Sequence, residues 1–107
     1  MPYNINFLNS QGEKIRIGDV FDVFIPKIDN IFWNIAFGRD KDIKELNNIS
    51  GHKSILILEK AISNIEECKF NSVYSSTAKN NLKTSLIDLL NLAKEKPFGV
   101  WKVDLHP

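Results

Sequence analysis

Residues 76 to 97 decide how the second half of the chain folds, and they read STAKNNLKTSLIDLLNLAKEKP. The apolar residues recur at i, i+4, i+7, i+8 and i+11, which places them on one face of an α-helix; they are Leu82, Leu86, Leu89, Leu90 and Ala93. Ser76 or Thr77 can cap the start of this helix, and Pro97 ends it because a proline disfavours helical angles in the residue before it. We expect an amphipathic helix whose apolar face is covered by another layer.

A second amphipathic helix is predicted upstream, in residues 52 to 68, HKSILILEKAISNIEEC. Ser50-Gly51 provides its start. Its apolar residues recur at intervals of three and four, and they are Ile55, Leu58, Ile62 and Ile65.

The two ends of the chain carry the period-two alternation of half-buried strands. Residues 3 to 8 read YNINFL, and residues 14 to 25 continue through KIRI and VFDVFI after turn residues around Gly12. Residues 101 to 105 read WKVDL and alternate in the same way. The sequence therefore predicts a hairpin or meander over residues 3 to 25 and a closing strand near residue 103.

The run IFWNIAF, residues 31 to 37, fits either of two structures. A helix would be apolar almost all round, which requires burial on every side. Seven residues are short for a helix, so the length favours a strand, with a short buried helix as the alternative. The strand would turn one apolar row towards the core, formed by Ile31, Trp33, Ile35 and Phe37.

Strands first, two helices and a strand last indicate an α+β fold. We expect a single domain over residues 1–107, in which an antiparallel sheet carries two amphipathic helices on one face. A chain of 107 residues with 43% hydrophobic and 25% charged residues has the composition of an ordinary globular domain. It is long enough to form a core without metals or disulfides.

The charge balance argues against nucleic acid as a partner. Fourteen basic and thirteen acidic residues leave a net charge of +1, whereas nucleic-acid binding needs a concentrated basic surface. The only arginines are Arg16 and Arg39, although arginine is the side chain best suited to phosphates and guanine edges. We therefore expect a partner other than nucleic acid.

Cysteine usage and hydropathy predict a cytoplasmic protein that does not enter a membrane. Cys68 is the only cysteine, so no intramolecular disulfide can form, as is usual in a reducing cytoplasm. The longest apolar runs are far below the roughly 18 residues that a membrane span needs. The first residues, MPYNINFLNSQ, lack the basic and apolar regions of a secretory signal.

No pattern of residues predicts a catalytic site, a metal site or a cofactor. The only histidines, His52 and His106, have no cysteine, histidine or acidic residue at the spacing of metal ligands. Cys68 follows two glutamates, whose negative charge opposes its activation as a nucleophile. We therefore expect a protein that is not an enzyme.

The alternative is a small-molecule enzyme that uses Pro2. Met1-Pro2 resembles the start of the tautomerases in which an N-terminal proline acts as general base once the methionine is removed. The resemblance covers Pro2 and the strand after it, and it implies an enzyme acting on small molecules. The chain departs from that family where residues 13 to 25 continue as strand instead of a long helix, and no pair of arginines is placed to hold a diacid substrate.

In its size, its solitary cytosolic character and its lack of catalytic residues, the chain resembles the immunity proteins of bacterial contact-dependent inhibition and related polymorphic toxin systems. That resemblance implies a protein without enzymatic activity that binds a cognate toxin domain and blocks it by direct contact. The order of an early YNI strand (residues 3 to 5), two helices, and Pro97 followed by a last strand is also similar to small structural proteins of phages and mobile elements. A domain of that kind is a further alternative.

The apolar run also predicts where a partner would bind. On the strand interpretation, Phe32 and Asn34 lie on the face away from the core, and the chain runs on into charged residues. An aromatic residue beside mixed charges is typical of an interface with an apolar centre and a polar rim. We therefore predict that the partner contacts Phe32, Asn34, Arg39, Asp40 and Asp42. Burial of Phe32 beneath a loop or within a short helix is the alternative.

Overall fold

An antiparallel sheet and a layer of helices make up the fold in the computed structural model, which describes residues 3–25, 30–38, 41–68 and 73–105. In these ranges the strands are β1 (Tyr3–Leu8), β2 (Lys14–Ile15), β3 (Val23–Ile25) and β4 (Val100–Leu105). The helices are α1 (Asn30–Phe37), a 3₁₀ helix (Ile43–Leu46), α2 (Gly51–Glu67) and α3 (Val73–Glu95). The predicted α+β class and antiparallel sheet are confirmed, with α1 as a helix that the sequence interpretation did not favour.

Strand β1 is the centre of the sheet. Along its whole length it pairs with β4, from Tyr3 opposite Leu105 to Leu8 opposite Val100. The other edge of β1 is shared by two short strands, because β2 pairs with its last two residues and β3 with its first three. The predicted meander over residues 3 to 25 is therefore two short antiparallel pairings with one strand.

Residues 16–22, the 16–22 loop, leave the sheet between these two pairings. Phe7 lies opposite Ile15 and Ile5 opposite Val23, so the whole loop stands opposite a single residue, Asn6. The loop reverses at Gly18, whose φ of 61° is in the left-handed region that glycine adopts without strain. The amide of Ile17 donates to the carbonyl of Val20 at 2.6 Å across this turn.

Asp22 holds the base of the 16–22 loop to the sheet. Its Oδ1 accepts hydrogen bonds from the side-chain amides of Asn4 and Asn6, each at 3.2 Å, and Asn6 is buried. The same carboxylate forms an ion pair with Lys14 at 2.9 Å. The hydrogen bond from Lys14 lowers the pKa of Asp22, with smaller lowering contributions from Asn6 and Asn4 against the opposing effect of burial.

One face of the sheet packs on the helices and forms the core. Phe7 and Trp101 point to this side from neighbouring strands, with their ring centroids 4.3 Å apart. Four of the five predicted stripe residues of α3 are buried in the same core, and Leu90 is half-buried. The stripe prediction is confirmed.

The start of α2 was predicted correctly and the start of α3 was not. Ser50 caps α2, and its hydroxyl accepts from the backbone amide of Lys53 at 3.2 Å. Helix α3 instead begins at Val73, so the predicted caps Ser76 and Thr77 lie inside its first turns. Residues 73 to 76 contain neither glycine nor proline, the residues that disfavour a helix most, so the helix can begin before the predicted caps.

The strand interpretation of residues 31 to 37 is wrong, because they belong to α1. The helix packs against α2, α3 and the 3₁₀ helix, which together supply the many-sided burial that its composition requires. Trp33, Ala36 and Phe37 are buried, whereas Phe32 is half-buried. Gly38, with a φ of 106°, ends the helix.

Candidate functional site

Two clefts lie side by side between β3 and α3, and three residues line both of them: Val23, Phe24 and Ser85. We call the combined area, with the 16–22 loop beside it, the Phe24 surface. Strand β3 and helix α3 form its walls, α1 closes one end and the 16–22 loop closes the other.

The first cleft, which we call the aromatic cleft, has a volume of about 180 Å³. Its α3 wall carries Thr77, Asn81 and Ser85, which follow one another at intervals of four residues and share one helix face. Phe32 and Trp33 of α1 form the facing aromatic wall. The volume is below the roughly 300–1,000 Å³ of ordinary small-molecule sites, so the cleft is better suited to a single side chain than to a larger ligand.

The second cleft, which we call the acidic cleft, has a volume of about 320 Å³. Its apolar lining comes from the 16–22 loop and β3, and it is formed by Ile17, Val20, Val23 and Phe24. Three acidic residues also line it, Asp19, Asp22 and Asp88. The loop and α3 approach closely here, since a Cβ atom placed on Gly18 would lie 3.1 Å from Asp88 Oδ2.

Large apolar side chains are exposed beside these clefts. Val20, Phe21 and Phe24 are 48%, 46% and 52% exposed, and they fall within five consecutive residues. The guanidinium carbon of Arg16 lies 5.3 Å from the centre of the Phe21 ring, a cation–π distance. Exposed apolar residues grouped in this way along the chain are candidates for contact with a partner.

Of the three predicted contact residues that the structure describes, Phe32, Asn34 and Asp42, only Phe32 lines the Phe24 surface. Phe32 is half-buried and packs against the core. Asn34 is exposed, but two residues along a helix point in nearly opposite directions, so it does not share the face of Phe32. Arg39 and Asp40 lie outside the described residues.

Asp42, the fifth predicted residue, has a local structural role. Its Oδ1 accepts from the backbone amide of Lys44 at 2.8 Å and caps the 3₁₀ helix. Its Oδ2 accepts from the hydroxyl of Tyr3 at 3.3 Å. The negative charge of Asp42 raises the pKa of Lys44. A role in partner binding for Asn34 and Asp42 stays a prediction.

The sequence contained a signal for the Phe24 surface that the strand pattern concealed. The segment VFDVFI, residues 20 to 25, is apolar at both odd and even positions. A strand with one covered face cannot bury both sets. The position of the 16–22 loop opposite Asn6 depends on pairings with β1, and these are not visible in the segment itself.

Of the residues considered for chemistry, the structure describes His52 and Cys68, which lie at opposite ends of α2. His52 is exposed in the first turn of α2, and Cys68 is half-buried at its C-terminal end. Pro2 and His106 lie outside the described residues. Within the described ranges, no cluster of histidine, cysteine or acidic side chains is arranged to hold a metal ion.

Comparison of the chain with models of known protein families, with curated proteins and with solved structures found no match. None of the helices in the described ranges combines the length and the apolar character needed to cross a membrane.

Proposed function

We propose that this chain is a small cytoplasmic protein that binds a cognate bacterial toxin domain and neutralises it by direct contact, without catalysing a reaction. The observation that carries the proposal is the exposed apolar group of Val20, Phe21 and Phe24, of which Val20 lines the acidic cleft and Phe24 lines both clefts. Aromatic residues next to pockets and charged groups are the composition of the energetically dominant centre of protein interfaces.

The rigidity of the Phe24 surface supports the same function. Phe24 belongs to β3, which is hydrogen-bonded to β1, and the 16–22 loop is held at its base by Asp22. A surface that is already ordered loses little conformational entropy when a partner binds. The exposed aromatic side chains can therefore contribute most of their burial free energy to affinity.

The test begins with the gene immediately upstream, which the proposal expects to encode the toxin domain. This domain is expressed in a bacterial host with and without the chain, and growth is measured. We expect co-expression to restore growth, and we expect the purified proteins to form a stoichiometric complex by calorimetry. Growth arrest that the wild-type chain cannot relieve would contradict the proposed function.

The surface is tested in the same assay with Phe21→Ala and Phe24→Ala combined. Interface hot spots cost about 2–4 kcal/mol each when truncated, so we expect the dissociation constant to rise at least 100-fold. Phe98→Ala is the matched control, because Phe98 is 90% exposed and lies in the α3–β4 connection instead. Equal protection by the double variant and the control would place the interface elsewhere.

A further inference from the structure

We infer that the acidic cleft receives a lysine or arginine side chain of the partner protein. This inference rests on the proposed function and adds the chemistry of the partner. The cleft joins an apolar lining to carboxylates at one site, and lysine and arginine are the side chains that match both parts. Their aliphatic stems pack on apolar surface while the charged group remains at the polar end.

The apolar part of the cleft is continuous with the exposed group beside it. Val20 and Phe24 line the acidic cleft and are also two of the three exposed apolar residues of the Phe24 surface. A partner that covers these residues must therefore place some of its own side chains over the cleft. The occupant is thus a side chain of the docked protein in preference to a free small molecule.

The charges of the cleft determine whether that side chain is cationic or anionic. Lys14 neutralises Asp22, whereas no cation of the described residues lies within ion-pair distance of Asp19 or Asp88. Asp19 and Asp88 are therefore the two lining carboxylates without an ion-pair partner among the described residues, and Arg16 of the same loop lies over the Phe21 ring instead. Docking an anionic or purely apolar surface here would remove water from Asp19 and Asp88 without replacing their hydrogen bonds, which is unfavourable.

A cationic side chain also supplies hydrogen-bond donors that replace the water displaced from both carboxylates. Asp19 is exposed on the loop and Asp88 is half-buried on α3, so the two line the cleft from different elements. A guanidinium group has N–H donors on several sides and can donate hydrogen bonds to carboxylates of two different elements at once. Arginine therefore fits this arrangement better than lysine, whose charge is concentrated at one point.

The first experiment uses the isolated chain and needs no toxin. Butylguanidinium is titrated while backbone amide resonances are followed by NMR, with uncharged butylurea as the matched probe. We expect saturable shifts confined to residues that line the acidic cleft with butylguanidinium, and markedly weaker binding of butylurea. Asp19→Asn and Asp88→Asn should each weaken butylguanidinium binding about threefold, and together about tenfold.

Glu59→Gln is the control for this titration, because Glu59 is exposed on α2 and lines neither cleft. It should leave the titration unchanged. The inference would be overturned if the amide resonances near all exposed carboxylates shifted equally, or if the two probes bound with equal affinity. This result would leave the proposed function untouched, since the Phe21 and Phe24 variants test it separately.

The second experiment uses the complex with the toxin domain. Asp19→Asn with Asp88→Asn should weaken the complex and reduce its dependence on salt concentration, because a screened charge pair is lost. Phe24→Ala should weaken the complex and leave the salt dependence unchanged. Loss of affinity in Phe24→Ala with none in the double aspartate variant would refute the cationic occupant while retaining the Phe24 surface as the interface.

Discussion

The indole nitrogen of Trp101 donates a hydrogen bond to the hydroxyl of Ser54 at 2.8 Å, and both side chains are completely buried. The hydroxyl of Ser54 in turn donates to the carbonyl of Gly51 at 2.7 Å. These two consecutive hydrogen bonds join the closing strand β4 to the first turn of α2. A single small hydroxyl group thus satisfies the only side-chain polar atom of Trp101, the largest fully buried side chain among the described residues.

We predict that Ser54→Ala lowers the free energy of unfolding by about 1–3 kcal/mol, the cost of leaving a buried donor without an acceptor. Urea denaturation followed by far-ultraviolet circular dichroism measures the loss. Ser85→Ala, at a half-exposed position on α3, is the matched control and should change stability by less than about 0.5 kcal/mol.

A double-mutant cycle with Trp101→Phe separates the hydrogen bond from the loss of packing. The phenylalanine ring has no donor, so Ser54→Ala should cost much less in the Trp101→Phe background than in the wild type. Strictly additive losses would mean that the bond contributes nothing to stability.

Gly99 is predicted to tolerate no side chain. A Cβ atom at this position would overlap the ring of Phe7, which is completely buried in the core. Gly99→Ala must therefore displace a core aromatic residue, and we expect a loss at the upper end of the about 1–3 kcal/mol typical of overpacked cores. Thermal unfolding monitored by circular dichroism should show a large drop in melting temperature.

Gly12→Ala provides the comparison for Gly99. A Cβ atom at Gly12 meets nothing within 4 Å, but its φ of 80° is unfavourable for alanine by roughly 1–2 kcal/mol. A smaller loss at Gly99 than at Gly12 would show that Phe7 can move aside without cost, contrary to the packing of the core.

Much of this architecture could be predicted from the sequence because it depends on local periodicity. The stripe of α3 and the alternation of β1 and β4 are visible in short windows, and each element has the predicted type. The segment 31 to 37 failed because a short apolar run has no decisive period. Its helical state depends on burial by α2 and α3, which the run itself does not encode.

The candidate site was harder to predict from the sequence, because it also depends on contacts between distant segments. The Phe24 surface is assembled from the 16–22 loop, β3, α1 and α3, which are distant in sequence. In the sequence, Asp88 is simply one polar residue of an amphipathic helix. Its part in the site becomes visible only in the fold, where the loop places Gly18 beside it. Phe32 was selected on a strand face that does not exist, although it does line the aromatic cleft.

Asp22 is predicted to make the stability of the sheet depend on pH. Its pKa in the folded chain lies below the ordinary value of 3.8, mainly because Lys14 donates a hydrogen bond to it. The stabilisation is therefore fully present above pH 3.8 and is lost as the pH falls through the lower folded pKa. Since the Asp22 side chain is 38% exposed, screening by solvent limits the effect to about 0.5 kcal/mol.

Asp22→Asn should flatten this part of the pH profile, measured by urea denaturation between neutral pH and the acid limit. It keeps a side-chain oxygen that can accept from Asn4 and Asn6 but removes the charge paired with Lys14. Asp104→Asn, a substitution of an exposed carboxylate on β4, should retain the wild-type slope. Identical slopes in all three proteins would exclude Asp22 as the titrating group.

Phe32 distinguishes a core role from a contact role within α1. Its ring is half-buried and packs against the core, while it also lines the aromatic cleft. Complete truncation of a core phenylalanine costs about 3–5 kcal/mol, so we expect Phe32→Ala to lower the free energy of unfolding by roughly half as much. Ser63→Ala, at an exposed position of α2, should change it by less than about 0.5 kcal/mol.

Toxin affinity completes this test, because stability alone does not report contact. Phe32→Leu keeps most of the apolar volume, so we expect it to restore much of the stability lost in Phe32→Ala. If the partner inserts a side chain into the aromatic cleft, Phe32→Leu should still bind several-fold more weakly than the wild type, since the aromatic wall is gone. Full affinity in Phe32→Leu together with restored stability would assign Phe32 to the core alone and leave Phe21 and Phe24 as the aromatic contacts.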